Sequence, residues 1–117
     1  MRKILIIEDD KDILSVLGEI AKSSHFEVIL QVTLLSVTQI ELIMPDLILL
    51  DHWIGTEKGG DLCLLLKQNE ATKDIPIVII STALDVGQIA FDSCADGALI
   101  KPFDIEEIEA LFEAYLV

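Results

Sequence analysis

Five short segments of this chain are apolar almost without interruption: KILII at 3–7, FEVIL at 26–30, LILL at 47–50, IVII at 77–80 and ALI at 98–100. A strand with one face in water alternates apolar and polar residues. These segments do not alternate, so both of their faces must be covered, as in a parallel sheet. Stretches of helical period separate them. Ile13, Val16, Leu17 and Ile20 share one helical face behind Asp10 or Asp12 as cap, and Val37, Ile40, Ile43 and Met44 do so behind Ser36. Leu62, Leu65 and Leu66 follow Gly59-Gly60, and a short helix is expected at 86–93. The last helix starts at Asp104 with Glu107 three residues on, the spacing of a capping box. Its stripe is Ile105, Ile108, Leu111, Phe112, Tyr115 and Leu116. Strand–helix units joined by right-handed crossovers predict an α/β fold, a doubly wound five-stranded parallel sheet with helices on both faces. The length of 117 residues fits one domain, 1–117.

The composition narrows the function classes. At 52% hydrophobic residues the chain has enough apolar surface to offset chain entropy, so disorder is excluded. No apolar run approaches the roughly 18 residues of a membrane span. In "MRKILIIEDD" the apolar stretch is only Ile4 to Ile7, which is no signal peptide, so a cytoplasmic protein with no membrane partner is expected. With 8 Lys plus Arg against 21 Asp plus Glu, the formal charge is −13, which opposes direct nucleic-acid binding and favours cations. Cys63 and Cys94 lack CxxC spacing and are expected to be buried free thiols. His25 and His52 lack zinc-ligand spacing; His25 is expected to be a charge partner at a helix end. His52, one residue after Asp51 on a strand, should point away from it. Trp53 should be a half-exposed neighbour of that Asp. Leu34, Leu35 and Leu42 fall outside the main stripe of their segment, where they could form a contact surface, while Glu106, Glu109 and Glu113 lie on the polar face of the last helix.

In doubly wound folds the site lies beyond the carboxyl ends of the strands. After the first strand come Glu8, Asp9 and Asp10; after the third, Asp51; after the fourth, Ser81 and Thr82; after the fifth, Lys101-Pro102. Neighbouring strands run ~4.8 Å apart, so these side chains can converge. Clustered carboxylates repel and need a proton or a cation. Mg²⁺ suits oxygen ligands and binds through few carboxylates while keeping waters and phosphate oxygens. With Lys101 as a point charge and a Ser81 hydroxyl as donor, the set suits a phosphoryl group carried on Asp51.

Together the motifs "ILIIEDD", "PDLILLD", "IPIVIIS" and "CADGALIKPF" make the chain resemble, over essentially its whole length, the response-regulator receiver domain of the CheY-like fold. The resemblance implies strand order 2-1-3-4-5 and Asp51 as phosphoacceptor from a sensor histidine kinase or phosphotransfer protein. It also implies two-component signalling toward a downstream protein partner, and a homodimer is compatible with it. It implies Mg²⁺ held by Asp9 and Asp51, with Glu8 and the backbone carbonyl of Trp53 contributing, Ser81 as switch hydroxyl, Lys101 as the conserved-role lysine, and a cis Lys101-Pro102 bond. Counting five residues on from Pro76 favours Ser81 over Thr82, which strand alternation sends to the opposite face.

The pattern also departs from the family. Gly55 stands where proline is frequent, and Thr82 where the residue is usually small, so its bulk is expected to lengthen the phosphorylated lifetime. Ala98 stands where an aromatic switch residue is expected, leaving Phe91 or Tyr115 as the available substitutes. Other classes compete less well. A hydrolase resembling the haloacid-dehalogenase family needs a second Asp two residues after the nucleophile, where this chain has Trp53. A flavin protein of related topology needs a phosphate loop after the first strand, where this chain has carboxylates. A non-phosphorylated pseudo-receiver acting as an interaction module is the remaining alternative. The chain carries no DNA-binding output module, so it is expected to be either a single-domain regulator or a receiver cut from a longer protein.

Overall fold

A computed structural model describes residues 1–116 of the chain. In order, the elements are β1 (Lys3–Ile7), α1 (Lys11–Ser23), β2 (Glu27–Gln31), α2 (Val37–Ile43), β3 (Leu47–Asp51), β4 (Trp53–Ile54), β5 (Glu57–Lys58), α3 (Gly59–Lys67), β6 (Ile77–Ser81), α4 (Val86–Asp92), β7 (Gly97–Ile100) and α5 (Ile105–Leu116). Five strands form a parallel sheet in the order β2-β1-β3-β6-β7; β4 and β5 form a separate antiparallel hairpin. Counting only the sheet's own strands, the order is 2-1-3-4-5, as the resemblance implies.

The near-continuous apolar runs are explained by the two cores they feed. Leu5, Ile7, Ile48, Leu50, Ile77 and Ile79 pack with Ile40, Leu62, Leu66 and Ala90 from α2, α3 and α4. The alternate residues Ile4, Ile6, Leu47, Leu49, Val78 and Ile80 pack with Leu14, Leu17, Ala21, Ile108 and Phe112 from α1 and α5. Most of these strand side chains have no exposed surface. Each contributes on the order of 1.5–3 kcal/mol by burial, the main source of fold stability. No helix among the described residues is long and apolar enough to cross a membrane.

Helix phases differ from the sequence reading in identifiable ways. Asp10 caps α1 by accepting from the Asp12 and Ile13 N–H groups. The face it presents inward is Leu14, Leu17, Gly18 and Ala21, leaving Val16 52% exposed. Close approach decides this: a methyl group on Gly18 would lie 3.1 Å from Leu30, so the sheet takes the glycine side of the helix. Ser36 and Gln39 form a reciprocal capping box on α2. Met44 is not in its stripe but ends it in a left-handed conformation, φ 53. Leu65 and Ile105 are exposed, and Cys63 is buried where Leu65 was expected. Leu42 is 83% exposed, outside the stripe as expected, whereas Leu34 and Leu35 pack against the core edge. Cys94 corrects the expectation of two buried thiols: it is exposed, in the turn after α4 at φ 60. His25 takes φ 66 just past α1 and donates its N–H to Lys22 O, so its backbone closes the helix.

The contrast between the two α1 faces is testable. Leu14→Ala is expected to cost about 2–5 kcal/mol in urea denaturation, whereas Val16→Ala should change stability by no more than about 0.5 kcal/mol. Equal losses at both positions would contradict the observed helix phase.

Candidate functional site

The sheet register sets up the site. Ile7 pairs with Leu50, so Glu8 and Asp51 leave adjacent strands side by side. Asp51 pairs with Ile80, placing Ser81 one residue beyond it, and Ser81 pairs with Ile100, placing Lys101 just past the end of β7. Carboxylate oxygens of Glu8, Asp9 and Asp51 lie within 4.8 Å of one another. The Lys101 ammonium forms an ion pair with Glu8 Oε1 and stands 3.4 Å from Asp51 Oδ2. Glu8 is fully buried, Asp51 nearly so, and Asp9 is exposed at the mouth.

Small residues make room for this arrangement. A β-carbon on Gly59 would collide with the Asp51 carbonyl oxygen, so α3 can start against the end of β3 only with glycine there. A β-carbon on Gly60 would come within 2.5 Å of Ser93 Oγ and 3.1 Å of the His52 ring. The Gly59 N–H donates to His52 O at 2.6 Å, and the Gly60 N–H to His52 Nδ1 at 3.4 Å. His52 is thus buried under α3, on the face opposite Asp51. Trp53 is half-exposed beside the site, its ring 5.2 Å edge-to-face from His52. Ser81 is buried, and its Oγ accepts from the Ala83 N–H at 3.1 Å. Among the described residues no hydrogen bond joins it to the carboxylates. Thr82 is exposed and lines a 440 Å³ apolar cavity with Ile13, Val16, Lys101, Pro102 and Phe103. The Lys101-Pro102 bond is cis.

The hairpin carries contacts that the sequence reading overlooked. Gly55, at φ 61, donates its N–H to Asp9 Oδ2 at 2.9 Å. The signal was present: two residues, Gly55-Thr56, separate Ile54 from Glu57, with glycine at the first turn position. The aromatic substitutes for Ala98 lie elsewhere. Phe91 is 79% exposed on α4, and the Tyr115 hydroxyl donates to Asp96 O at the amino end of β7.

Electrostatically the pocket is short of positive charge. With all three acids ionised, one ammonium leaves two negative charges uncompensated. Burial pushes the Glu8 carboxyl up to about 7, the hydrogen bond shared with Asp51 adds to this, and Lys101 opposes it. Burial also works against the charge on Lys101, but the adjoining Glu8 carboxylate and the charge of Asp51 more than offset it, so its pKa is raised. Glu8 Oε1 is enclosed and makes no hydrogen bond of acceptable geometry; the ammonium meets it only as an ion pair. An all-oxygen donor set, a buried oxygen lacking a hydrogen bond and a charge deficit together fit a hard divalent cation.

Residues 4–113 match the family described as the response regulator receiver domain. The chain is 37% identical over 122 residues to the DNA-binding dual master transcriptional regulator RpaA of Synechocystis sp., covering 99% of this chain and 49% of that protein. It therefore spans about half the length of the curated relatives it matches. Among solved structures, a two-component response regulator from Clostridium difficile superposes with TM-score 0.80 at 28% identity, covering 99% and 96% of the two chains. The chemotaxis protein CheY4 of Vibrio cholerae superposes with TM-score 0.84 at 20% identity over 99% of both chains, a likeness of fold alone.

The raised Glu8 pKa has a stability consequence. A carboxyl whose folded pKa exceeds its unfolded value holds more protons when folded, so its contribution is complete below 4.5 and is lost as pH rises through about 7. In chelator, the urea midpoint should therefore fall between about pH 5 and pH 8, and Glu8→Gln should flatten that fall. A fall of the same size in the Gln variant would assign it to other groups.

Proposed function

Because the chain belongs to the response regulator receiver domain family, a regulatory domain of two-component systems, we propose that it is a phosphorylation switch with Asp51 as acceptor and Mg²⁺ as cofactor. The observation that carries this reading is the clustering of Glu8, Asp9 and Asp51 at adjacent strand ends, with the Lys101 ammonium against two of them, Glu8 and Asp51. The donor is a phosphohistidine on a sensor histidine kinase or a phosphotransfer protein. An Asp51 carboxylate oxygen attacks phosphorus, the phosphorus–nitrogen bond breaks, the histidine nitrogen takes a proton, and an acyl phosphate remains on Asp51. Glu8, Asp9 and Asp51, with the Trp53 carbonyl, would hold the cation, whose part is to neutralise charge on the phosphoryl oxygens.

The chain's own residues do the rest. Lys101 stands within ion-pair reach of Asp51 Oδ2 and balances part of the ~−1.5 to −2 charge that the phosphoryl group adds. The Ser81 hydroxyl, whose oxygen now accepts from Ala83, turns to donate to a phosphoryl oxygen. Hydrolysis of the acyl phosphate resets the switch. Exposed Thr82 crowds the approach of water and lengthens the phosphorylated lifetime. The partners are a kinase and a downstream protein, with 1–117 acting as one receiver unit. The −13 charge speaks against nucleic-acid binding by this unit itself.

Incubation with acetyl phosphate and Mg²⁺ followed by intact-mass measurement tests the reading. One phosphoryl group should be gained, with none in Asp51→Asn or in excess chelator. Uptake by the Asn variant to the wild-type extent, or none by the wild type, would remove Asp51 from this role.

A further inference from the structure

The β4–β5 hairpin has two residues in each strand, and a two-stranded hairpin this short has little stability of its own. Its register places Trp53 directly opposite Lys58. The Lys58 ammonium lies 5.6 Å from the centre of the Trp53 ring, whose other neighbour is the His52 edge. Lys58 makes no ion pair among the described residues, so the Trp53 ring is the partner its charge meets.

The other end of the hairpin touches the acidic pocket. Lys101 pairs with Glu8 and Asp51 but not with Asp9. Asp9 is exposed, and the Gly55 N–H is the one hydrogen-bond donor its carboxylate has among the described residues. Repulsion from two neighbouring carboxylates drives Asp9 toward solvent, and the tether at the hairpin turn opposes that movement.

We propose that Lys58 is a positioning residue for the cation pocket: by clasping Trp53 it fixes the hairpin whose Gly55 N–H keeps Asp9 beside Glu8 and Asp51. The proposal rests on the Mg²⁺-binding reading above. It makes a prediction opposite in sign to simple electrostatics. A lysine near a cation site repels the cation, so deleting its charge should tighten binding. If the clasp is what matters, deleting it loosens binding, and arginine, which also stacks on aromatic rings, restores it.

Calorimetric titration of Mg²⁺ into the wild type, Lys58→Met and Lys58→Arg at about 0.15 M ionic strength decides between these. The Met variant should bind roughly two- to fivefold more weakly, and the Arg variant within about twofold of wild type. Trp53, the only tryptophan, should shift its emission in the Met variant but not in the Arg variant. Unchanged far-UV circular dichroism confirms that the exposed substitution leaves the fold intact. Equal or tighter binding by Lys58→Met overturns the proposal while leaving the metal site standing. Absence of Mg²⁺ binding by the wild type overturns both.

Discussion

The Lys101 ammonium, set between buried Glu8 and Asp51, is the interaction on which the site depends. Three carboxylate oxygens within 4.8 Å of one another cannot all be ionised without a counter-charge, and one lysine does not suffice. Near neutrality a proton on Glu8 meets part of that deficit, and a divalent cation bound there would compete with it. A divalent cation would relieve that deficit, whereas a phosphoryl group, itself negative, would deepen it unless a cation came with it. The sheet exists, in this sense, to hold like charges close enough to need a partner.

What holds them is backbone geometry more than side-chain chemistry. Parallel register puts Glu8 beside Asp51 and brings Ser81 and Lys101 to the same edge. Two glycines let α3 begin against the end of β3, and buried His52 accepts from the second of them. The hairpin then reaches back from β3 to Asp9. Each acid in the cluster is thus fixed by a different element, which makes the constellation sensitive to small shifts between elements and able to report them.

The layout of strands and the residues at their carboxyl ends could be read directly, because period-two burial on both faces leaves a plain mark on LILL and IVII, and because charged residues must begin where burial stops. The helix faces were less legible. Val16 and Leu14 fit an apolar stripe equally well by spacing, and only the close approach at Gly18 chose between them. Cys94 was misread because an apolar neighbourhood in sequence says nothing of a left-handed turn at that residue. The tie from Gly55 to Asp9 joins residues 46 apart through a backbone donor, which carries no residue signature at all. Likewise, no sequence pattern says whether Ser81 already faces the pocket; its hydroxyl is engaged with the next turn of its own loop.

The central claim is that this pocket places a phosphoryl group on Asp51 and nowhere else, and locating that group on the chain tests it most directly. After phosphorylation in Mg²⁺, borohydride reduces an acyl phosphate to the corresponding alcohol, which peptide mass spectrometry can place. The account predicts homoserine at position 51 alone. Homoserine at another aspartate, hydroxynorvaline at a glutamate such as Glu8, or a phosphoryl group that resists reduction because it sits on a hydroxyl or an imidazole, would contradict it.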